Sequence, residues 1–172
     1  MAQGRARSTV RPTTRPWPAL LVYVAAVVLV AGIGGLATSA GQGSGGWYAE
    51  ADKPSFTPPG WLFGPVWTVL YAAMAVAAWR LSRRREEGDR RASALLRLWW
   101  VQLGLNFLWT PLFFAGQLLW LALVDIVLLD VAVAVLVVRT WRVDRVAAGL
   151  LAPYLVWIGF ATVLNASVAA LN

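Results

Sequence analysis

Five stretches of about twenty predominantly apolar residues recur along this chain of 172, and a helix needs roughly that many to cross a bilayer's hydrocarbon core. In lipid every backbone N–H and C=O must be satisfied within the segment or by neighbouring protein, which leaves helices or closed barrels. The runs lie at about 19–40, 61–81, 94–114, 118–138 and 146–171, far longer than barrel strands. The spacing therefore predicts an all-α integral membrane protein, a five-transmembrane-helix bundle. Hydrophobic residues make up 59% of the chain and charged residues 13%, against about half and a quarter in soluble domains. The length suits one such domain.

What lies between the runs sets their orientation. Residues 1–18 are polar and basic, with Arg5, Arg7, Arg11 and Arg15 and with Pro12, Pro16 and Pro18 against helix. They read as a disordered cytoplasmic tail. Ser82 to Arg91 reads as a charged loop, Ala115-Gly116-Gln117 as a tight turn and Arg139 to Arg145 as a short basic loop. With five spans, fourteen of the fifteen basic residues fall on one side and only Lys53 on the other. The positive-inside rule then puts the N-terminus in the cytoplasm and the C-terminus outside. The net charge of +7 reads as this bias and not as a nucleic-acid surface. A competing reading takes Ala37-Thr38-Ser39-Ala40 as a signal-peptide cleavage site, although the apolar run is long for that role. The expected location is a bacterial cytoplasmic membrane.

The chain has no Cys and no His. Disulfides, His/Cys zinc sites and haem held by axial His or Cys are excluded, and no metal is expected.

Polar residues inside spans are costly and call for a reason. Gln102, Asn106, Trp109 and Phe113 share one face of the third span. Tyr154, Trp157, Ala161 and Asn165 share one face of the fifth, by helical spacing. The second span offers Trp61, Thr68 and Tyr71, with Trp67 and Met74 beside them. Converging stripes of this kind make a small-molecule pocket, but the same amides and hydroxyls serve equally as interhelical glue. Asp125 and Asp130 are about 140° apart around the fourth span and form no dyad; they read as packing residues or as coupling groups. Trp17 and Tyr23 sit at an interfacial depth. Gly32, Gly34, Gly35, Ala72, Ala75 and Ala78 permit close helix packing, within the bundle or between copies.

The loop Trp47-Tyr48-Ala49-Glu50-Ala51-Asp52-Lys53-Pro54-Ser55-Phe56-Thr57-Pro58-Pro59-Gly60-Trp61 combines aromatics, prolines and a lone lysine. It reads as a lid or a membrane-surface anchor, with Lys53 the first cation an entering anion would meet.

These elements, with Pro65-Val66-Trp67-Thr68, Leu70-Tyr71, Met74, Gln102-Leu103, Leu105-Asn106, Trp109, Pro111, Phe113-Phe114, Asp125, Pro153-Tyr154-Leu155, Trp157 and Phe160-Ala161-Thr162-Val163-Leu164-Asn165, resemble the TspO/MBR family of tryptophan-rich sensory and translocator proteins. The likeness covers Trp47 to Asn165. It implies a five-helix bundle, often a homodimer, with a pocket beneath the first long loop for tetrapyrroles such as protoporphyrin or haem. Such a porphyrin is a ligand and not a required cofactor. By position in the motif, Trp47, Lys53, Trp61, Trp67, Gln102, Asn106, Trp109, Tyr154, Trp157, Ala161 and Asn165 would line or border that pocket. Ala166 and Ser167 follow Asn165 with no basic residue beyond, so the family's sterol motif is missing. The leading expectation is a tetrapyrrole-binding sensor or translocator. The alternatives are a light-driven protoporphyrin-degrading enzyme acting through Trp61, Trp67 and Trp157, and a proton-coupled transporter using Asp125 or Asp130.

Overall fold

The computed structural model describes residues 17–43 and 45–172. Among them the fold is all helical. The elements are α1 (Trp17–Gln42), α2 (Trp47–Glu50), α3 (Gly60–Glu86), α4 (Arg90–Thr110) with a π-helical turn at Pro111–Ala115, α5 (Leu119–Thr140) and α6 (Arg145–Leu171). The five long helices close a ring in the order α1, α3, α6, α5, α4, with α3 also touching α4 across it. Four of them, α1, α3, α5 and α6, are long and apolar enough to cross a membrane. The third expected span, α4, carries Arg90, Arg91, Arg97, Gln102 and Asn106 and does not qualify on composition alone. The tail reading over residues 1–16 lies outside the described residues, and Trp17 and Pro18 already belong to α1. The segment Ala37-Thr38-Ser39-Ala40 is helical and continuous with the rest of α1.

The helices run past the predicted ends because their caps are built from charged residues that read as loop. Asp89 accepts from the Arg91 N–H at 2.9 Å and starts α4. Asp144 accepts from the Ala147 N–H at 2.9 Å and starts α6. The expected loop over Ser82 to Arg91 thus shrinks to Glu87-Gly88-Asp89. Arg83, Arg84 and Arg85 occupy the last turn of α3, where cations suit the negative end of the helix dipole. Gly88 takes φ +99°, and Gly88 and Asp89 donate back to the Arg85 and Arg84 carbonyls at 3.0 Å each. That is a Schellman stop, which needs the left-handed residue glycine provides. Pro65 and Pro153 lie inside α3 and α6 without ending them.

Packing follows the apolar stripes. Tyr23, Val27 and Val30 are the buried hydrophobic side chains among those described on α1, while Leu21, Val22, Val28, Leu29 and Leu36 face outward, as a lipid-facing helix requires. Tyr23 is therefore not an interfacial anchor: its ring meets Trp99 at 5.2 Å and Trp100 at 6.0 Å inside the bundle. The Trp99 indole, fully buried, donates to the Met74 carbonyl at 3.1 Å. Of the small residues, Ala75 and Ala78 are buried in the core. A Cβ on Gly34 would touch Thr110 at 3.5 Å, whereas Gly32 and Gly35 face open space. Gly41 ends α1 against the π-helical turn, and a Cβ there would lie 2.8 Å from the Phe114 ring.

Candidate functional site

At the end of the bundle remote from the basic turns, the segment between α1 and α3 folds over the helix ends as a lid. The helix α2 carries Trp47 and Tyr48 down onto the π-helical turn. Pro111 brings no N–H to the α4 ladder, and the chain widens into the π-helical turn there. The last carbonyls of this turn are then taken up one by one. Gly116 donates to Pro111 O at 2.8 Å and Leu118 to Leu112 O at 2.9 Å. Phe114 O accepts from the Trp47 indole at 2.8 Å. Trp47 is thus both a lid residue and the cap of the α4 terminus.

Beneath the lid the rings of Trp47, Tyr48, Trp109, Phe113 and Phe114 pack together at centroid distances of 5.0 to 6.0 Å. Phe63, Phe160 and Trp157 continue this wall, each ring 5.8 Å from Trp157. Deeper lie Trp67 and Tyr71, stacked at 5.2 Å, with Tyr154 at 6.2 Å from Trp67. The cavity between lid and bundle has a volume of about 20 Å3 and is bordered by Gln42, Tyr48, Phe63, Trp109, Phe113 and Asn165, among others. That is room for about one water molecule.

Two of the three amides in the two polar stripes are satisfied by phenol, indole and backbone partners on neighbouring helices. The Tyr71 hydroxyl donates to Asn106 Oδ1 at 2.7 Å, and Asn106 Nδ2 donates to the Tyr154 hydroxyl at 3.1 Å. One amide therefore joins α3, α4 and α6. The Trp109 indole donates to Asn165 Oδ1 at 3.0 Å, and Asn165 Nδ2 donates to the Leu119 carbonyl at 3.0 Å. That amide joins α4, α5 and α6. Two groups differ. Gln102 is 0% exposed, and among the described residues neither its amide atoms nor the buried Trp157 Nε1 has a hydrogen-bond partner. Buried donors and acceptors left unpaired are costly, so both mark places where a further polar group would be welcome.

The expected site residues thus separate. Trp47, Trp109, Ala161 and Asn165 border or roof the cavity, Trp157 and Trp67 stand in the adjoining aromatic wall, and Asn106 and Tyr154 brace it. Trp61 does not join them: it is 74% exposed on the outer face of α3. Thr68 lies on that same face and donates back to Gly64 O at 2.8 Å. Helical spacing grouped Trp61 and Thr68 with Tyr71 on one face, but the group splits: Tyr71 turns inward to Asn106 while Trp61 and Thr68 face out. Gln42 and Phe63 border the cavity without having been singled out. Phe63 is four residues before Trp67, a helical neighbour that could have been included.

Lys53 is not a free cation at the mouth. Its ammonium donates to the carbonyls of Tyr48, Ala51 and Ala49 at 2.7, 2.7 and 3.2 Å and lies 5.1 Å from the Tyr48 ring centroid. All three ammonium protons are used, and the lysine closes the C-terminal end of α2. Lys53→Met should therefore loosen the lid without changing how ligand affinity responds to salt. Limited proteolysis between α2 and α3 should speed up, while the slope of affinity against ionic strength stays at the wild-type value.

The fourth-span carboxylates are both inside the bundle. Asp130 Oδ2 accepts from Thr162 at 2.7 Å. Asp125 Oδ2 and Asp130 Oδ1 have no partner among the described residues. No group of His, Cys, Asp and Glu among those residues is placed to hold a metal ion.

A second latch holds the lid from α6. Asn172 Oδ1 accepts from the Asp52 N–H at 3.1 Å, and Asn172 Nδ2 donates to the Asp52 carbonyl at 3.0 Å.

The model of the TspO/MBR family matches residues 22–171. A tryptophan-rich protein TspO of Archaeoglobus fulgidus is 45% identical over 129 residues, 73% of this chain and 80% of its own. The human translocator protein is 41% identical over 119 residues, 69% of this chain and 70% of its own. Protein CrtK of Rhodobacter capsulatus is 38% identical over 136 residues, 79% of this chain and 84% of its own.

Proposed function

This chain belongs to the TspO/MBR family of membrane proteins, and from that premise we propose that it binds a tetrapyrrole such as protoporphyrin or haem beneath the lid, as a sensor or translocator. The observation that carries the reading is the pair of aromatic clusters that meet at the cavity, Trp47 with Phe113 and Trp109 on one side and Phe63 with Trp157 and Phe160 on the other. A flat conjugated ring has no axial His or Cys to hold it in this chain, so stacking, shape and a few hydrogen bonds must do so. The unpaired Trp157 N–H supplies a donor for a ligand acceptor.

The cavity of about 20 Å3 is far below the several hundred Å3 that ligand pockets of this kind occupy. Uptake therefore requires the lid to lift and the rings of Tyr48, Phe113 and Phe114 to part. The lid's polar attachments to the bundle include the Trp47–Phe114 bond and the Asn172–Asp52 pair, both breakable at modest cost. In this reading α4 is the fifth membrane span, its polar face turned inward onto α3 and α6, and the Arg-rich end lies in the cytoplasm of a bacterial cell.

Titration with protoporphyrin IX, followed by quenching of tryptophan fluorescence, tests the proposal. Wild type should quench saturably. Trp157→Phe should weaken binding by about three- to tenfold, the worth of one good aromatic contact. Trp61→Phe should leave the affinity unchanged, since that indole lies outside the wall. Quenching that never saturates, or that both variants alter equally, would remove the ligand from the cavity.

A further inference from the structure

The opposite end of the bundle carries a second concavity, of about 210 Å3, lined by Trp79, Arg80, Arg83, Arg84, Glu87 and Asp144. It lies where the last turns of α3 meet the turn between α5 and α6. Its charges do not balance. The Asp144 carboxylate accepts from Arg80 Nε and Nη2 at 3.1 and 3.0 Å and from Arg84 Nε at 3.1 Å. Arg84 Nη1 also donates to Glu87 at 3.1 Å. Two guanidiniums therefore face two carboxylates. The third, Arg83, has no carboxylate partner among the described residues. It lies over the Trp79 ring, 5.6 Å from its centroid. One positive charge is left over, and Arg80 and Arg84 each keep N–H groups that Asp144 and Glu87 do not use.

The depth of this concavity indicates where its partner comes from. At 27 residues, α3 is about 40 Å long, and some 30 Å of hydrocarbon counted from Gly60 ends near Trp79 and Arg80. Tryptophan at that level and arginine just beyond it match the interface and the headgroup layer. The walls are polar, and the uncompensated charge is a single one.

We infer that this concavity holds the headgroup of an acidic phospholipid, with its phosphodiester on Arg83 and the spare N–H groups of Arg80 and Arg84. A phosphodiester carries one negative charge, which neutralises the cluster, and guanidinium forks suit its oxygens. Pockets of this make-up between helices take acidic lipid headgroups. The inference does not depend on what binds beneath the lid.

Native mass spectrometry of the whole chain in neutral detergent tests it, with phosphatidylglycerol and phosphatidylcholine offered at equal concentration. Wild type should retain one phosphatidylglycerol in preference to phosphatidylcholine. Arg83→Gln, which removes no ion pair, should lower that retention about fivefold or more with an unchanged unfolding temperature in lipid-free detergent. Arg142→Gln removes an exposed cation outside the concavity and should leave retention unchanged. Equal losses in the two variants would mean diffuse surface attraction and overturn the site, as would equal retention of the two lipids. Displacement of the lipid by soluble glycerophosphoglycerol at matched headgroup concentration would show a site for free phosphodiesters and overturn the lipid assignment.

Discussion

Asn106→Leu should destabilise the bundle by about 2 kcal/mol, the combined cost of two interhelical hydrogen bonds and of two phenols left unpaired in an apolar interior. The amide is the single link between the Tyr71 and Tyr154 hydroxyls, and Tyr154 is fully buried. Leucine keeps the volume, so packing changes little. A double-mutant cycle separates this brace from a pocket-lining role. Tyr71→Phe alone should cost about 1 kcal/mol. In the Asn106→Leu background it should cost nearly nothing, because both partners are then apolar. The readout is the unfolding midpoint in detergent. An identical cost of Tyr71→Phe in both backgrounds would show that the Tyr71–Asn106 bond contributes no stability.

Asp144→Ala should cost about 2–3 kcal/mol, more than an ordinary surface ion pair would. The carboxylate side chain is only 3% exposed, caps α6 through Ala147 and ties Arg80 and Arg84 of α3 to that cap. The cap alone is worth about 1 kcal/mol. The arginines are partly exposed, which limits the remainder. Asp144→Asn keeps a capping oxygen and should lose roughly half as much.

The pH dependence follows from the same geometry. Burial pushes the Asp144 carboxyl upward, but the Arg80 hydrogen bond, the Ala147 N–H, the Arg80 charge and the Arg84 hydrogen bond together outweigh it, leaving the carboxyl below its usual range. A group whose folded pKa is depressed adds stability that is fully present above the unfolded value, near 3.9, and is lost as pH falls through the folded value. The difference in stability between wild type and Asp144→Asn should therefore be constant above about pH 5 and shrink below about pH 4. Asp89 is depressed likewise by its bonds to Arg91, so only the difference between the two curves isolates Asp144. A difference that stays flat down to pH 2 would contradict the role assigned to the Arg80–Asp144–Arg84 cluster.

Asp144 also shows where sequence reading stops. The helices themselves were legible, because a run of some twenty apolar residues has few other uses. Their ends were not, since Asp89 and Asp144 read as loop charges although each stands just before a helical run and could have been taken as an N-cap. The aromatic residues of the candidate site were legible through spacing, which groups Gln102 with Asn106 and Trp109, and Tyr154 with Trp157. Spacing fixes only relative angles on one helix. It could not tell that Trp61 and Thr68 face outward, or that Tyr23 faces in toward Trp99, because that depends on which neighbours the helix meets.

The amides of Asn106 and Asn165 illustrate a related limit. Pocket and glue require the same residue types on the same face. Only the partner distances assign these two to bracing and leave Gln102 and Trp157 unpaired. Lys53 was misread for a different reason. A lone lysine in a loop suggests a free charge, and its cage of three carbonyls exists only once α2 has formed and the chain has turned at Ala51.

A flat ligand that enters beneath the lid must wait for the lid to lift, so closing the lid covalently should block uptake. The chain has no cysteine, so Asp52→Cys with Asn172→Cys places two thiols where the Asn172 side chain now holds the Asp52 backbone. A short bifunctional thiol crosslinker can then bridge them. The measurement is the rate of protoporphyrin IX binding by stopped-flow quenching, before and after crosslinking. The uncrosslinked variant should bind at least as fast as wild type, and the crosslinked one should slow by an order of magnitude or more and recover when the linker is cleaved. Equal rates in the open and bridged forms would contradict uptake beneath the lid.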